Sequence, residues 1–247
     1  MIDSSLIETF DSISLEEMGK VRLMNRVDTK FVTDIPRLHD LLQAASTDYL
    51  VQQIDGRSNM PYYTRYYDTA DAMMFYQHQR GKKNRRKIRV RHYEECDMLP
   101  FVEIKSKNNR GRSHKKRVVM DNGTLLTDYR DFIDSNSEYS ADLLVPRIEN
   151  HFYRITLVDR AMTERITIDS FLEFNNLTTG NSISLDRLGI IEWKRDARSV
   201  HSPLADILRN LRIRPTGFSK YCVGMAMTNP DLRQNRLKTK LRMIEKI

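Results

Sequence analysis

Between Arg86 and Arg117 the chain places charged side chains on every second position, again and again, and a backbone that does this has few ways to fold. In Arg86-Lys87-Ile88-Arg89-Val90-Arg91-His92-Tyr93, an extended strand sends Lys87, Arg89 and Arg91 to one face and Ile88 and Val90 to the other. Phe101 to Lys107 repeats the arrangement, with Glu103, Lys105 and Lys107 opposite Val102 and Ile104. Ser113 to Val119 adds Lys115 and Arg117 on one side. Alternation alone also suits half-buried strands with a solvated basic face. Its recurrence argues for more, because like charges opposed across a ladder repel and a pooled basic surface calls for an anion to fill it.

The same spacing returns elsewhere. Arg26, Asp28 and Lys30 share a face in the stretch from Arg22 to Val32. Phe152 to Asp159 and Glu164 to Phe171 read as strands, the second with Arg165, Thr167 and Asp169 opposite Ile166 and Ile168. From Gly189 to Lys194, Glu192 and Lys194 oppose Ile191 and Trp193. Tyr62 to Tyr67 is a further strand, whose tyrosines at that spacing pack against a sheet or, less simply, stack on bases. A helix or helix pair is expected over Leu6 to Met18, and helices from Ile35-Pro36 to about Ala45, from an Asp68-Thr69 cap through Gln77, over Leu125 to Ile133 and from Ser202-Pro203 to Leu211, with a basic amphipathic helix at about 229–247. Ser140 to Val145 suits a short helix or an extended segment. With no glycine-serine linker and no fixed-period repeat, residues 1–247 are expected to form a single domain. The expected class is α+β: an eight-stranded antiparallel β-barrel tunnel with a polar, basic lumen and helices packed on the outside.

A net charge of +8 and a pI near 9.4 predict an anionic partner, whether a phosphate compound, a nucleic acid or an acidic membrane surface. Neither Gly-x-x-x-x-Gly-Lys-Ser/Thr nor Gly-x-Gly-x-x-Gly occurs, so any phosphate would be held mainly by side chains. Six histidines without metal-ligand spacing argue against zinc, and serines outside any nucleophile elbow argue against a hydrolase triad. Glu103, Asp169 and Glu192, with Asp28 a fourth, sit on cationic faces. Each suits either an ion pair or Mn²⁺ or Mg²⁺ held partly by substrate phosphates. Cys96 and Cys222 are too few for a disulfide framework, the start lacks a signal-peptide plan, and no long apolar run occurs, so a cytoplasmic protein is expected.

Taken in order, Arg26-x-Asp28-x-Lys30, Tyr66-Tyr67-Asp68-Thr69, Lys87-x-Arg89-x-Arg91, Val102-Glu103-Ile104-Lys105, Lys115-x-Arg117, Ile191-Glu192-x-Lys194 and Phe218-Ser219-Lys220-Tyr221 resemble the catalytic domain of the vacuolar transporter chaperone family. These are the polyphosphate polymerases of the triphosphate tunnel metalloenzyme, or CYTH-like, superfamily. The resemblance spans about Arg22 to Val223 and implies a tunnel that passes the terminal phosphate of ATP to a growing polyphosphate chain. It further implies that Lys30, Arg89, Arg91, Lys105, Lys115, Arg154, Arg165 and Lys220 act on the reacting phosphates. Arg26, Lys87, Lys107, Arg117, Lys194 and Ser219 would bind substrate, while Glu192, with Glu103 and Asp169 behind it, would ligate Mn²⁺ or Mg²⁺. Hydrolytic and cyclase members resemble a Glu-x-Glu-x-Lys first strand. Arg26 here replaces a carboxylate, which favours a longer anion, whereas Asp28 leaves room for a triphosphatase. The membrane-spanning and phosphate-sensing parts of larger relatives are not in this chain, so export and that form of regulation are not expected. A non-catalytic binder of polyphosphate or RNA is the alternative from another class; no specific nucleic-acid partner is expected.

Overall fold

In a computed structural model, residues 2–19, 26–108, 113–197 and 201–247 are described, with Arg26 and Ser113 described for backbone only. The basic stretch forms three consecutive antiparallel strands, β5 (Arg85–Tyr93), β6 (Phe101–Lys107) and β7 (Ser113–Val119). They continue a sheet built from β2 (Arg26–Asp34), β4 (Asn59–Thr69), β8 (Leu144–Asp159), β9 (Glu164–Asn176) and β10 (Ser182–Asp196). The order across it is β2-β10-β9-β8-β4-β5-β6-β7, antiparallel throughout. Two short strands lie off this path: β1 (Ser12–Ser14) pairs in parallel with β3 (Tyr49–Gln53), which pairs with β8.

The expected α+β class holds, but the closed barrel does not. Among the described residues β2 and β7 end the path and do not pair with each other. Part of the β2 edge is taken instead by the chain before the penultimate helices: Phe31 bridges Pro215, and Thr216 N–H donates to the Lys30 carbonyl at 2.6 Å. A proline there brings no donor of its own, so this contact covers the edge without extending the sheet.

The convex face is apolar and helix-covered, as alternation requires. Ile155, Leu157, Ile166, Ile168, Ile191 and Trp193 pack under α3 (Ile35–Ala45) and α6 (Pro203–Asn210). Asp34 caps α3 by accepting from Arg37 N–H, and Pro36 sits in its first turn. Ile88, Val90, Val102 and Ile104 pack against Ile133 of α5 (Arg130–Asn136) and Met74 of α4 (Met73–Gln79). One helix breaks the expected plan: α7 (Lys220–Thr228) packs on the concave side. Its Tyr221, Val223 and Met225 join Ile148, Leu188 and Ile190, on the inward parity of β8 and β10, and Phe174, which reaches that side because the registers of β9 shift near Phe171. At that end the inward face is apolar, while the outward residues that alternate with it, Glu149, Glu173, Asn175 and Ser184, are polar. The C-terminal helix is shorter than expected, a 3₁₀ turn at Asn235–Leu237 followed by α8 (Lys238–Ile244), which buries Leu237 and Ile244 against the same cluster. Leu6 to Met18 forms α1 (Ser4–Ile7) and α2 (Leu15–Met18) around β1; Ser14 and Glu17 make a reciprocal capping box that starts α2. No helix is long and apolar enough to cross a membrane among the described residues.

Candidate functional site

The register places like charges side by side on the concave face. Lys87 lies opposite Lys105, which lies opposite Lys115; one step along, Arg89 faces Glu103, which faces Arg117. The first of these rows is three lysines on adjacent strands, an arrangement that destabilises a sheet unless counter-charge reaches it. From the other half of the sheet come Lys30 on β2, Glu192 and Lys194 on β10, Arg165 and Asp169 on β9, and Arg154 on β8. All of these, with Arg91 and the Ser219-Lys220 start of α7, line one cavity of about 450 Å³. A second cavity of about 420 Å³ shares Lys30, Lys87, Lys105, Glu192 and Ser219 with it and adds Asp28 and Lys107. The side chain of Arg26 lies outside the described residues.

Three ion-pair groups hold the cavity wall. Arg154 grips Asp169 with two nitrogens, at 2.5 and 2.8 Å, and Lys220 Nζ meets the same carboxylate at 2.8 Å. Glu192 takes Lys194 at 2.7 Å and Lys30 at 3.7 Å, and Glu103 is held by Arg89 with Lys115 at 3.7 Å. Burial alone would raise each carboxyl. For Glu192 the cations Lys30, Lys194 and Lys105 outweigh it, and for Asp169 Arg154 and Lys220 do. Glu103 is brought down to about 2 by Arg89, Arg91 and Lys115 against the same burial. The amines feel burial in the other direction: Lys87 falls to about 8, with Lys30, Lys105 and Arg89 adding to the effect. Lys220 is likewise pulled well below an ordinary lysine by burial, with Asp169 opposing.

Asp68 sets where α7 begins. Its buried carboxylate accepts from the N–H groups of Met74 and Phe75, both at 2.9 Å, and from Tyr221 hydroxyl at 2.5 Å, which clips β4, α4 and α7 together. Ser219 then caps α7, accepting from Cys222 N–H, while Lys87 Nζ donates to the Ser219 hydroxyl at 2.9 Å. Gly224 lets the helix approach the sheet: a Cβ there would stand 2.4 Å from a Phe174 ring carbon.

Several lining residues escape a reading based on charge alone. Tyr62 and Tyr66 face the cavity, Tyr62 stacking on Phe152 with ring centres 5.3 Å apart, while Tyr63 turns outward against His151. The parity rule that sorts the lysines also sorts these tyrosines. Arg85 of the second cavity shares the parity of Lys87 on β5, whereas His78 and Lys240 have no such signal, because they come from α4 and α8. Burial, with Lys87 and Arg85 nearby, brings His78 down to about 3, so it is neutral at ordinary pH.

No three His, Cys, Asp or Glu side chains converge on a metal position among the described residues. A divalent ion would need phosphate oxygens and water for most of its shell, which is the habit of Mg²⁺. Glu192 fits the role of a single carboxylate ligand, since the cation nearest its Oε1 stands off at 3.7 Å. Asp169 fits less well, with both oxygens engaged by Arg154.

No curated protein sequence matches the chain. Among solved structures, PH1819 from Pyrococcus horikoshii OT3 aligns with a TM-score of 0.45 at 11% identity, covering 82% of this chain and 98% of that one. The Schizosaccharomyces pombe Mediator head module aligns at 0.41 and 10% identity, covering 76% and 92%. Neither likeness is strong enough to carry an argument. The family model for the VTC domain matches residues 25–229, from the first cation of β2 past the end of α7, and the chain belongs to that family.

Proposed function

We propose that the chain is a metal-dependent polyphosphate polymerase, transferring the terminal phosphate of ATP to a growing inorganic polyphosphate chain. The observation that supports this most is the Lys87, Lys105, Lys115 row, three like charges in adjacent register with a polyanion as the natural filler. VTC domain membership supports a polyphosphate-related role.

In this reading the chain-end phosphate oxygen attacks the γ-phosphorus, the bond from the γ-phosphorus to the β,γ-bridging oxygen breaks, and ADP leaves with that oxygen. The attacking group is already anionic, so no general base is required. Arg89, Arg91, Lys105, Lys115, Arg154, Arg165, Lys30 and Lys220 orient the reacting phosphates and offset the charge spread over their oxygens. Lys87, Lys107, Arg117, Lys194 and Ser219 hold the flanking phosphates, with Arg26 on the same strand parity. A Mn²⁺ or Mg²⁺ ion on Glu192 adds charge neutralisation when bound. Glu103 and Asp169 hold Arg89, Arg154 and Lys220 in place before substrate arrives.

The test is a product gel after incubation with ATP and Mn²⁺, with and without a short primer. A ladder is expected. Glu192→Gln should abolish the ladder while tripolyphosphate binding, followed by calorimetry, changes less than about tenfold. A second reading is favoured by Asp28, a further carboxylate in the cavity that also holds Glu192: hydrolysis of inorganic triphosphate. Phosphate release from tripolyphosphate with no ladder from ATP would establish that reading over polymerisation.

A further inference from the structure

We infer that the basic groove between α4 and residues 233–236 is an exterior binding surface for polyphosphate, holding a chain whose inner end lies in the cavity; this rests on the polyphosphate reading of the site. The groove measures about 430 Å³ and is lined by Tyr76, Gln79, Arg80, Arg233, Asn235 and Arg236. Its walls are tied to each other: Gln79 Nε2 donates to the Arg233 carbonyl at 2.8 Å, and Arg236 donates to the Gln79 carbonyl at 3.1 Å.

Several exposed arginines elsewhere are neutralised, although Arg187, Arg212, Arg214 and Arg242 are not among the described ion pairs. Arg37, Arg65, Arg130, Arg160 and Arg209 each pair with a carboxylate. The groove arginines have no such partner among the described residues, and the adjoining run Arg80-Gly81-Lys82-Lys83-Asn84-Arg85-Arg86 contains no acid at all.

The groove also adjoins the second cavity. Gln79 and Arg236 are chain neighbours of His78 and Leu237, which line that cavity, so groove and cavity flank one contact between α4 and the 3₁₀ turn. Arg85, in the cavity wall, donates to the Lys82 carbonyl at 2.9 Å and so fixes the loop that carries the exposed Lys82 and Lys83. A polyanion extending past Arg85 and Lys240 would meet unpaired cations outside, where each contact releases counterions and adds to affinity.

The experiment compares tripolyphosphate with a long polyphosphate on the full chain carrying Arg80→Gln, Arg233→Gln and Arg236→Gln together. The expected result is an unchanged Kd for tripolyphosphate, a Kd for the long chain weakened about tenfold, and a log Kd versus log salt slope shallower by about 2. The Arg→Lys triple variant should recover most of the long-chain affinity. Should the glutamine variant not fold, Lys82→Gln with Lys83→Gln, both exposed and without a side-chain hydrogen bond or ion pair among the described residues, should give a smaller loss in the same direction. An unchanged long-chain Kd, or equal weakening of both ligands, would overturn the assignment. Displacement of long polyphosphate by oligoadenylate of equal charge as readily as by polyphosphate would overturn it too, making the surface a general nucleic-acid face. Failure of the wild-type chain to bind even tripolyphosphate would instead strike at the functional reading beneath it.

Discussion

Replacing Asp169 by Asn tests whether the cavity is a cation store held together by internal counter-charges. Asp169 is 5% exposed and serves two cations at once, Arg154 through two hydrogen bonds and Lys220 through an ion pair. Asparagine keeps the shape but removes the charge, and its amide turns at least one donor toward a guanidinium that needs an acceptor. Two buried cations then lack their shared partner, and breaking a buried pair in this way costs about 3 kcal/mol. For a domain of this size each kcal/mol lowers Tm by about 2–4 °C, so the variant should melt about 6–12 °C lower. The same loss makes the cavity more positive, and a bound polyanion can supply what the mutation took away. Saturating tripolyphosphate should therefore raise the melting temperature of Asp169→Asn by several degrees more than that of the wild type. Differential scanning fluorimetry with and without ligand measures both shifts. Equal ligand-induced shifts in the two proteins would refute the counter-charge account, and a melting temperature within about 2 °C of wild type would refute the burial of the pair.

Lys87 should take up protons when ligand binds. With its pKa brought to about 8 it is half protonated at pH 8, phosphates favour the charged form, and calorimetry in buffers of different ionisation enthalpy should register an uptake of about half a proton that disappears near pH 6. The sign for stability follows: between pH 8 and 10.5 the unfolded chain binds more protons at this lysine than the folded one, so its contribution makes the ligand-free protein more stable as pH rises through that window, and Lys87→Met should flatten the trend in denaturant melts. Gly224→Ala should destabilise by about 1–3 kcal/mol in the same melts, because the added methyl meets ring and methyl carbons of Phe174 and Ile148 at 2.4 and 2.7 Å; an unchanged midpoint would show that α7 does not press on the concave face as described.

The cation-bearing half of the sheet was legible because two unlike demands were written into alternate positions. Ile88, Val90, Val102 and Ile104 had to be covered while Lys87, Arg89, Lys105 and Lys115 had to face an anion, and only strands satisfy both at a period of two. The far halves of β8, β9 and β10 carry the contrast in the reverse sense, apolar inward and polar outward. Where α7 lies on the concave side, Ile148, Leu172 and Phe174 face inward with Glu149, Glu173 and Asn175 behind them, so the inward row changes from charged to apolar and, in β9, the registers shift near Phe171, beyond the expected strand ends. The helix itself was illegible for a reason of its own: Tyr221 through Ala226 are all buried, and a helix buried all round has no polar stripe to give a period of 3.6. What was readable was its first turn, Phe218-Ser219-Lys220-Tyr221, because those residues serve the cavity and the Asp68 clip rather than the core alone. The open edge at β2 depended on Pro215 and Thr216, far away in the chain, and no local spacing could report it.

That division of the concave face into an apolar end and a charged end bears on how the site can exist without its ligand. A sheet face lined only with lysine and arginine would repel itself apart, and one neutralised completely would have no affinity left for phosphate. Glu103, Asp169 and Glu192 sit between these limits: each offsets two cations, while burial lowers the pKa of Lys87 and Lys105, with Glu192 and Asp28 opposing that shift at Lys105. The remaining repulsion is borne by the apolar end, where α7 locks the strands together through Gly224 and the Tyr221 to Asp68 bond. The helix that supplies Ser219 and Lys220 to the charged end is thus also the element that lets that end remain under-neutralised, so substitutions that loosen α7 should weaken anion binding even where they touch no phosphate.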